Sequence, residues 1–193
     1  MRPSPTRRTL LTLAVAVLMS AGCTEQANPV APPTDQTDGL VSSLVSRLHR
    51  PMRVVERTVP LIDTLTASAR IGPAGGVIEI PAAGLRFEVP RGALRRPTTI
   101  TVTAPAGDLV GYHFAPHGLN FDRPARVTQA MAGTELAGSL RLLRRAQGAY
   151  FTGALLPRID PLELLDLDVI LGLGGGDVAF DIDHFSGYVI AMN

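Results

Sequence analysis

The sequence predicts an all-β protein, an antiparallel β-sandwich with one or two short peripheral helices, preceded by a signal peptide and a tether. Three observations lead to this prediction. From Arg53 onward, apolar and polar side chains alternate in short segments, as they do in half-buried β-strands. Glycine and proline separate these segments, a spacing that favours antiparallel pairing over a parallel sheet with crossover helices. Hydrophobic residues make up 46% of the chain, which suffices for a core.

The charge balance excludes one class of partner. The 193-residue chain has 18 basic and 17 acidic side chains, and every basic one is arginine. A net charge of +1 gives no basic field that would capture nucleic acid. Aromatic residues contribute only 5% and tryptophan is absent, which argues against a platform for stacking carbohydrates or nucleotides.

Residues 1–22 have the three-part layout of an export signal. Basic residues come first, an apolar run follows from Leu10 to Met19, and small residues end the segment. The run is too short to span a bilayer, so we expect a signal peptide. The Arg7-Arg8 pair also resembles a twin-arginine signal, and the choice between the two export routes stays open.

The only cysteine of the chain directly follows this segment. The stretch L-M-S-A-G-C, which ends at Cys23, resembles the bacterial lipobox, in which the cysteine is lipidated and becomes the first mature residue. The lipobox prefers leucine where this chain has Ser20, and ordinary signal peptidase would also accept Ser20 and Gly22. A lipid on Cys23 would anchor the protein without spanning the membrane. Thr24 after the cysteine, by resemblance to enterobacterial sorting, favours the outer membrane over the inner.

Two segments separate Cys23 from the expected sandwich. Residues 23–39 contain three prolines and almost no apolar side chains, which is typical of a flexible tether. Residues 40–69 are expected to form a short helix and an extended lead-in. The helix is indicated by an apolar stripe consisting of Leu40, Val41, Leu44, Val45 and Leu48. It would pack on the domain or lie on the membrane.

Alternating segments predict individual strands at Val77–Ile80, Leu85–Val89 and Thr99–Thr103. In the third segment, Ile100 and Val102 are expected to face inward and the threonines outward. The last eight residues, S-G-Y-V-I-A-M-N, also alternate. They are expected to form a closing strand of the sandwich.

A helix is predicted in the stretch D-P-L-E-L-L-D-L-D-V-I-L-G. Asp160 can cap it, and Pro161 suits its first turn. Glu163 completes a capping box, and Gly172 can end the helix. The glycines at 174–176 predict a flexible turn instead of a phosphate-binding loop, because they lead into a strand.

Four motifs carry a family resemblance. They are I-G-P-A-G-G (Ile71–Gly76), F-E-V-P-R-G-A-L (Phe87–Leu94), F-A-P-H-G-L-N-F-D-R-P-A (Phe114–Ala125) and H-F-S-G-Y (His184–Tyr188). Their order and spacing resemble the ZU-five domain of zonula occludens proteins, netrin receptors and ankyrins, over residues 70–193. The resemblance implies a β-sandwich used for protein contacts, and it implies no cofactor.

These motifs also have a direct structural interpretation. Gly75 and Gly76 permit a turn before a strand, and the stretch 90–94 forms a corner between strands. Pro116 and Gly118 indicate a hairpin. The expected core residues of the third motif are Phe114, Leu119 and Phe121.

The fourth motif carries the one chemistry that the sequence suggests. His184, Phe185 and Ser186 resemble the site at which death-domain and inflammasome-sensor relatives cleave their own chain. The resemblance implies Ser186 as nucleophile, His184 as base and the Phe185 carbonyl as electrophile, with cleavage between Phe185 and Ser186. In the alternative, His184 and Ser186 only form local hydrogen bonds where a strand begins.

Two weaker patterns could bind a metal ion. Asp177, Asp181 and Asp183 share one strand face and could gather calcium, but a solvated face is the commoner explanation. His113 and His117 would need further ligands to bind zinc. No serine, histidine and aspartate triad can be assembled from the sequence. We therefore expect no metal and no cofactor.

Together these observations predict a lipoprotein of the bacterial cell envelope, attached to the membrane through Cys23. Its sandwich is expected to bind an envelope protein or to serve a structural role. The alternative is a self-cleaving domain that cuts between Phe185 and Ser186. An envelope enzyme is the third possibility, and it would turn over an added substrate.

Overall fold

A computed structural model of the chain describes residues 51–171 and 176–193. Over these residues the predicted fold class is confirmed, because antiparallel sheets pack in a sandwich-like arrangement with very little helix. The predicted signal peptide, Cys23, the tether and the helix at 40–48 lie outside the described residues. No helix in the described ranges is long and apolar enough to cross a bilayer.

Among the described residues the larger sheet has eight strands, and its central strand is the last of those described. This strand, β15 (Gly187–Met192), pairs along one edge with β10 (Ala146–Phe151) and along the other with β8 (Gly111–Ala115) and β1 (Met52–Val54). Four outer strands extend the sheet from these partners: β6 (Thr98–Ala104) beside β8, β3 (Leu65–Ile71) beside β6, β11 (Arg158–Ile159) beside β1, and β12 (Glu163–Leu165) beside β10.

The smaller sheet has five antiparallel strands in the described part of the chain. In spatial order they are β13 (Asp168–Ile170), β14 (Asp177–His184), β9 (Asn120–Ala130), β5 (Leu85–Val89) and β4 (Gly76–Ile80). A separate two-stranded sheet consists of β2 (Glu56–Leu61) and β7 (Gly107–Leu109). The helices among the described residues are a 3-10 turn, Pro81–Ala83, and an α-helix, Leu140–Leu143.

The alternating segments form the strands that the sequence predicts. β5 has the predicted bounds, β4 begins one residue earlier, and β6 extends the third segment by one residue at each end. Ile100 and Val102 are fully buried, whereas the threonines of this strand are exposed or half-buried. The predicted closing strand is β15, whose central place in the larger sheet leaves it almost entirely buried.

Aromatic rings from both sheets meet in the core. Phe87 of β5 and Phe114 of β8 lie with their ring centroids 5.1 Å apart. Phe185, in the connection between β14 and β15, lies 5.7 Å from the first ring and 5.4 Å from the second. Of the core residues predicted from the third motif, Phe114 is fully buried, and Leu119 and Phe121 are half-buried and pack against the core.

The lead-in before residue 70 contributes strands to the sandwich. β1 and most of β3 precede this position, and both belong to the larger sheet. β1 pairs with β15, with Val54 opposite Ala191. The first and last strands of the described chain are therefore neighbours.

The helix predicted between Asp160 and Gly172 is wrong. The segment forms β12 and β13, which pair with β10 and β14 in different sheets. Leu165, Leu167 and Val169 are half-buried, and the residues between them are exposed, which is the period of two of an extended chain. The capping residues indicate only where a helix could start, and pairing with two sheet edges overrides that local preference.

The hairpin predicted around Pro116 and Gly118 is also wrong. β8 and β9 flank this segment, but they belong to different sheets. The segment is therefore a crossing from one layer of the sandwich to the other. The predicted corner at 90–94 has the same role, since it connects β5 of the smaller sheet to β6 of the larger one.

Candidate functional site

The H-F-S motif lies where the chain crosses from the smaller sheet to the larger sheet. His184 ends β14, and Gly187 begins β15. Phe185 and Ser186 between them are 2% and 7% exposed. The peptide bond that the resemblance implies as a cleavage site is therefore enclosed by protein.

His184 interacts with residues other than Ser186. Its Nδ1 atom lies 3.2 Å from the Tyr188 hydroxyl, and its Nε2 atom lies 3.6 Å from a carboxylate oxygen of Glu163. The ring also packs edge-on against Tyr150, with 5.0 Å between the centroids. The Tyr188 hydroxyl also donates to the backbone carbonyl of His184 at 2.7 Å, so it contacts both the side chain and the backbone of this histidine.

Tyr188 is held in its neutral form at this position. Burial raises the pKa of its hydroxyl, and the nearby carboxylate of Glu163 raises the pKa further. A neutral phenol can donate the hydrogen bond to the His184 carbonyl. His184 and Tyr188 thus form the local hydrogen bonds that the alternative interpretation of the motif expects for this histidine.

Ser186 faces a cavity that contains two other histidines. Its Oγ atom donates to the Phe151 carbonyl at 3.5 Å. His113, His117 and Ser186 all line the same cavity of about 250 Å³. His113 directly precedes the third motif and lies opposite Gly187 of the fourth motif in the pairing of β8 with β15.

His113 has the electrostatic character of a neutral imidazole. Burial lowers its pKa, and the charge of His117 lowers it further. Its ring meets the ring of Phe151 edge-on at 5.4 Å between centroids. A neutral imidazole can accept a proton, so the cavity beside Ser186 contains a group with the chemistry of a general base.

The backbone around the Phe185–Ser186 bond is fixed by hydrogen bonds. The Phe185 amide donates to the Leu119 carbonyl at 2.9 Å, and the Phe114 amide donates to the Ser186 carbonyl at 2.9 Å. The Gly118 amide donates to the Phe185 carbonyl at 3.4 Å. The Gly118 amide thus donates to the oxygen that would become negatively charged if Ser186 attacked the Phe185 carbonyl.

Of the three predicted aspartates, Asp177 is half-buried and the other two are exposed, and one of these two is already paired. Asp181 and Asp183 are exposed on β14, with Val178, Phe180 and Ile182 buried on the other side. Arg126 of β9 donates to Asp181 at 3.0 Å and also to Asp168. Within the described ranges, no three histidine, cysteine, aspartate or glutamate side chains are close enough to hold a metal ion.

The structure also shows a surface that the sequence analysis missed. This surface lies on the segment that the sequence predicted as a helix. There the chain passes from β12, at an edge of the larger sheet, to β13, at an edge of the smaller sheet. Four aliphatic side chains on this segment are exposed, and we call them the apolar edge: Leu162, Leu164, Ile170 and Leu171. The sequence analysis predicted a helix here from its terminal residues, and it therefore did not predict exposed aliphatic side chains at two sheet edges.

No protein-family model matches the chain, and no curated protein is significantly similar to it.

Proposed function

We propose that this protein is an exported, lipid-anchored component of the bacterial cell envelope whose ZU-five-like β-sandwich binds another envelope protein. The observation that carries the binding role is the apolar edge. Leu162 is 59% exposed just before β12, and Leu171 is 70% exposed just after β13. Exposed aliphatic side chains at the edges of a domain are common in surfaces that bind proteins.

The backbone supports the same proposal. β12 pairs with β10 alone and β13 with β14 alone among the described residues, so each short strand has one edge free for a further partner. An unpaired strand edge offers main-chain donors and acceptors to an extended segment of another protein. The exposed leucines beside these edges would add the apolar contacts that distinguish one partner from another.

The anchor rests on the sequence. The apolar run, the small residues before Cys23 and the proline-containing tether together suit a lipidated protein whose domain is held away from the bilayer. The intact mass of protein extracted from membranes in detergent tests this part. We expect the mass of residues 23–193 plus acyl chains, and a Cys23→Ser variant without them. An unlipidated mass for the unaltered protein would contradict the anchor.

Site-specific photo-crosslinking in intact cells tests the binding role. A photoreactive residue at Leu164 is expected to give a discrete protein adduct. The matched control is Ile62, an aliphatic residue that is 94% exposed in the loop after β2 and outside the apolar edge. Adding Leu171→Asp should abolish the adduct formed from position 164. Identical adducts from positions 164 and 62, or none from 164, would contradict the proposal.

Self-cleavage between Phe185 and Ser186 is a second candidate function, favoured by the Gly118 amide on the Phe185 carbonyl and the histidines beside Ser186. In this reaction the Ser186 oxygen would attack the Phe185 carbonyl carbon, and a histidine would take the hydroxyl proton. The histidine would return this proton to the Ser186 nitrogen as the peptide C–N bond breaks, which leaves the Phe185 acyl group as an ester on the Ser186 oxygen and a free Ser186 amine. Water would then hydrolyse the ester to a Phe185 carboxylate and the Ser186 hydroxyl. His184 is the base implied by the resemblance, and His113 is the alternative in the cavity.

Denaturing mass spectrometry distinguishes the two candidates. β15 pairs with three strands, so a released C-terminal octapeptide would stay bound in the native fold, and the sample must be unfolded first. Cleavage predicts a chain ending at Phe185 and its loss in Ser186→Ala. His184→Gln and His113→Gln would identify the base. An unbroken chain after prolonged incubation would exclude self-cleavage and leave the binding role unaffected.

A further inference from the structure

A buried arginine on β2 has no negatively charged partner among the residues that the structure describes. Arg57 is 8% exposed, and it lies opposite Thr134 in an isolated bridge. None of the ion pairs formed among residues 51–171 and 176–193 includes it. Burying an arginine removes water from a charge that remains ionised, so such residues normally have a carboxylate or phosphate partner.

Neutral groups hold this guanidinium in position. Nη1 of Arg57 donates to the Leu109 carbonyl, and Nη2 donates to the Tyr112 hydroxyl at 3.4 Å. The guanidinium carbon also lies 5.9 Å from the centre of the Tyr112 ring. Nε is enclosed and has no hydrogen-bond partner among the described residues. Because these neighbours are neutral, no acidic side chain in the described part of the chain pairs with the positive charge of Arg57.

The neighbours of Arg57 are themselves fixed. Tyr112 is 2% exposed, and its hydroxyl donates to the side-chain oxygen of Gln129, which is 1% exposed. The Gln129 amide nitrogen donates to the Ala83 carbonyl at 3.1 Å and to the Ala130 carbonyl at 2.8 Å. Burial raises the pKa of Tyr112 to about 12, so its hydroxyl stays a neutral partner of Arg57. This network makes the arginine a rigid element of the fold.

Arg57 lines a cavity with the size of a small-ligand site. The cavity has a volume of about 380 Å³ and lies between β2, the 3-10 turn and the loop after β9. Among the described residues that line it, Arg57 alone is charged. Its apolar walls include Val59, Leu61, Pro81, Ala83 and Ala132. Small-ligand sites commonly combine an apolar lining with one or two fixed polar groups.

We propose that this cavity binds a carboxylate with a short aliphatic body, and that Arg57 pairs with the carboxylate. A guanidinium and a carboxylate match in shape and charge, since the planar fork of N–H donors can contact both oxygens. The aliphatic walls suit the remainder of such a ligand. The same chemistry occurs in a free short-chain acid and at the C-terminus of a peptide that ends in an aliphatic residue. The inference does not depend on the apolar edge or on self-cleavage.

Titration of the full-length protein, extracted from cells in detergent, tests the proposal. The probes are 4-methylpentanoate and 4-methylpentanamide, together with a peptide ending in leucine whose C-terminus is either free or amidated. Isothermal calorimetry or ligand-observed NMR would measure binding. We expect saturable binding of an acid and at least about tenfold weaker binding of the matched amide, as the loss of one charge-assisted contact predicts. Binding of the free acid alone would identify a small-molecule ligand, and binding of the peptide alone would identify a C-terminus.

Three variants complete the test. Arg57→Gln should weaken binding of the acid at least about tenfold and leave binding of the amide unchanged. Arg70→Gln, at an exposed arginine on β3, removes the same charge elsewhere and should have no effect. If Arg57→Gln does not fold, Ala132→Leu serves instead, because Ala132 is exposed at the cavity wall and a larger side chain there narrows the cavity.

The proposal is overturned by any of three results. Equal affinity for acid and amide would show that the carboxylate is not recognised. A lack of saturation by every probe up to about 10 mM would show that the cavity does not bind this class of ligand. Unchanged affinity for the acid in folded Arg57→Gln, or in Ala132→Leu, would place the binding elsewhere.

Discussion

At the scale of single residues, His113 shows how strand pairing changes the chemistry of a side chain. The residue lies on β8 beside Gly187 of β15, in a cavity that also contains His117 and Ser186. Burial and the charge of His117 lower its pKa below the ordinary value near 6.5. The folded protein therefore releases the His113 proton more readily than the unfolded chain does.

This shift predicts a pH dependence of stability. As the pH falls below about 6.5, the unfolded chain gains a proton at position 113 before the folded protein does, so the free energy of unfolding decreases. The decrease continues until the pH passes the lowered pKa of the folded state. Urea denaturation between pH 7.5 and pH 5 would measure it. The change in the free energy of unfolding with pH should become smaller in His113→Gln. His117→Gln should reduce this change in part, because it removes the charge that helps to lower the pKa of His113.

An unchanged slope in His113→Gln would contradict this assignment and point to other titrating groups. The prediction could not have been made from the sequence. The sequence places His113 only four residues before His117, but it does not indicate which strand lies beside them. That information resides in the pairing of β8 with β15, two strands far apart in the chain.

At the scale of elements, two glycines with the same backbone conformation have different surroundings. Gly75 precedes β4 and has a φ of 80°, and Gly118 precedes β9 and has a φ of 74°. A Cβ atom at Gly75 would lie 2.5 Å from the Val89 carbonyl oxygen, whereas a Cβ atom at Gly118 would have no neighbour within 4 Å. The first turn is therefore constrained by both conformation and space, and the second by conformation alone.

Alanine at each position separates these two effects. Gly118→Ala is expected to cost about 1–2 kcal/mol, the penalty for a side chain in the left-handed region. Gly75→Ala should cost at least about 1 kcal/mol more, because the backbone of β5 must also move away. Chemical denaturation of both variants would measure the difference. If both variants lost the same free energy of unfolding, the turn before β4 would accommodate the added Cβ atom without a further loss of stability.

Elements with one solvent-facing side were predictable from the sequence, and elements that depend on distant edges were not. β4, β5 and β6 alternate because one side of each strand is apolar. In β12 and β13 the same alternation was present at Leu165, Leu167 and Val169, but Asp160 and Pro161 are also good helix-start residues. The segment forms strands instead of a helix because it pairs with the edges of β10 and β14. The local sequence does not show that these edges are available.

At the scale of the whole molecule, the sandwich is completed by its last strand. β15 pairs with β1 and with strands from the middle of the chain, β8 and β10. It also contributes Tyr188 and Ile190 to the core, each 1% exposed. Most of the larger sheet therefore depends on contacts between residues that are distant in sequence. Folds of this kind form slowly, because the chain must close long loops before those contacts stabilise it.

A pair of C-terminal truncations tests this dependence. A chain that ends at Ser186 lacks β15, so β1, β8 and β10 lose their shared partner and the aromatic core loses Tyr188. We expect this chain to show no cooperative thermal unfolding and rapid amide hydrogen exchange throughout both sheets. A chain that ends at Met192 lacks only the exposed Asn193 and should unfold like the intact protein. If the shorter chain still unfolded cooperatively, the smaller sheet would have to fold by itself, and β15 would not be required for folding. The burial of nearly every residue of β15 argues for the first outcome, since removing it would expose both the sheet and the core to water.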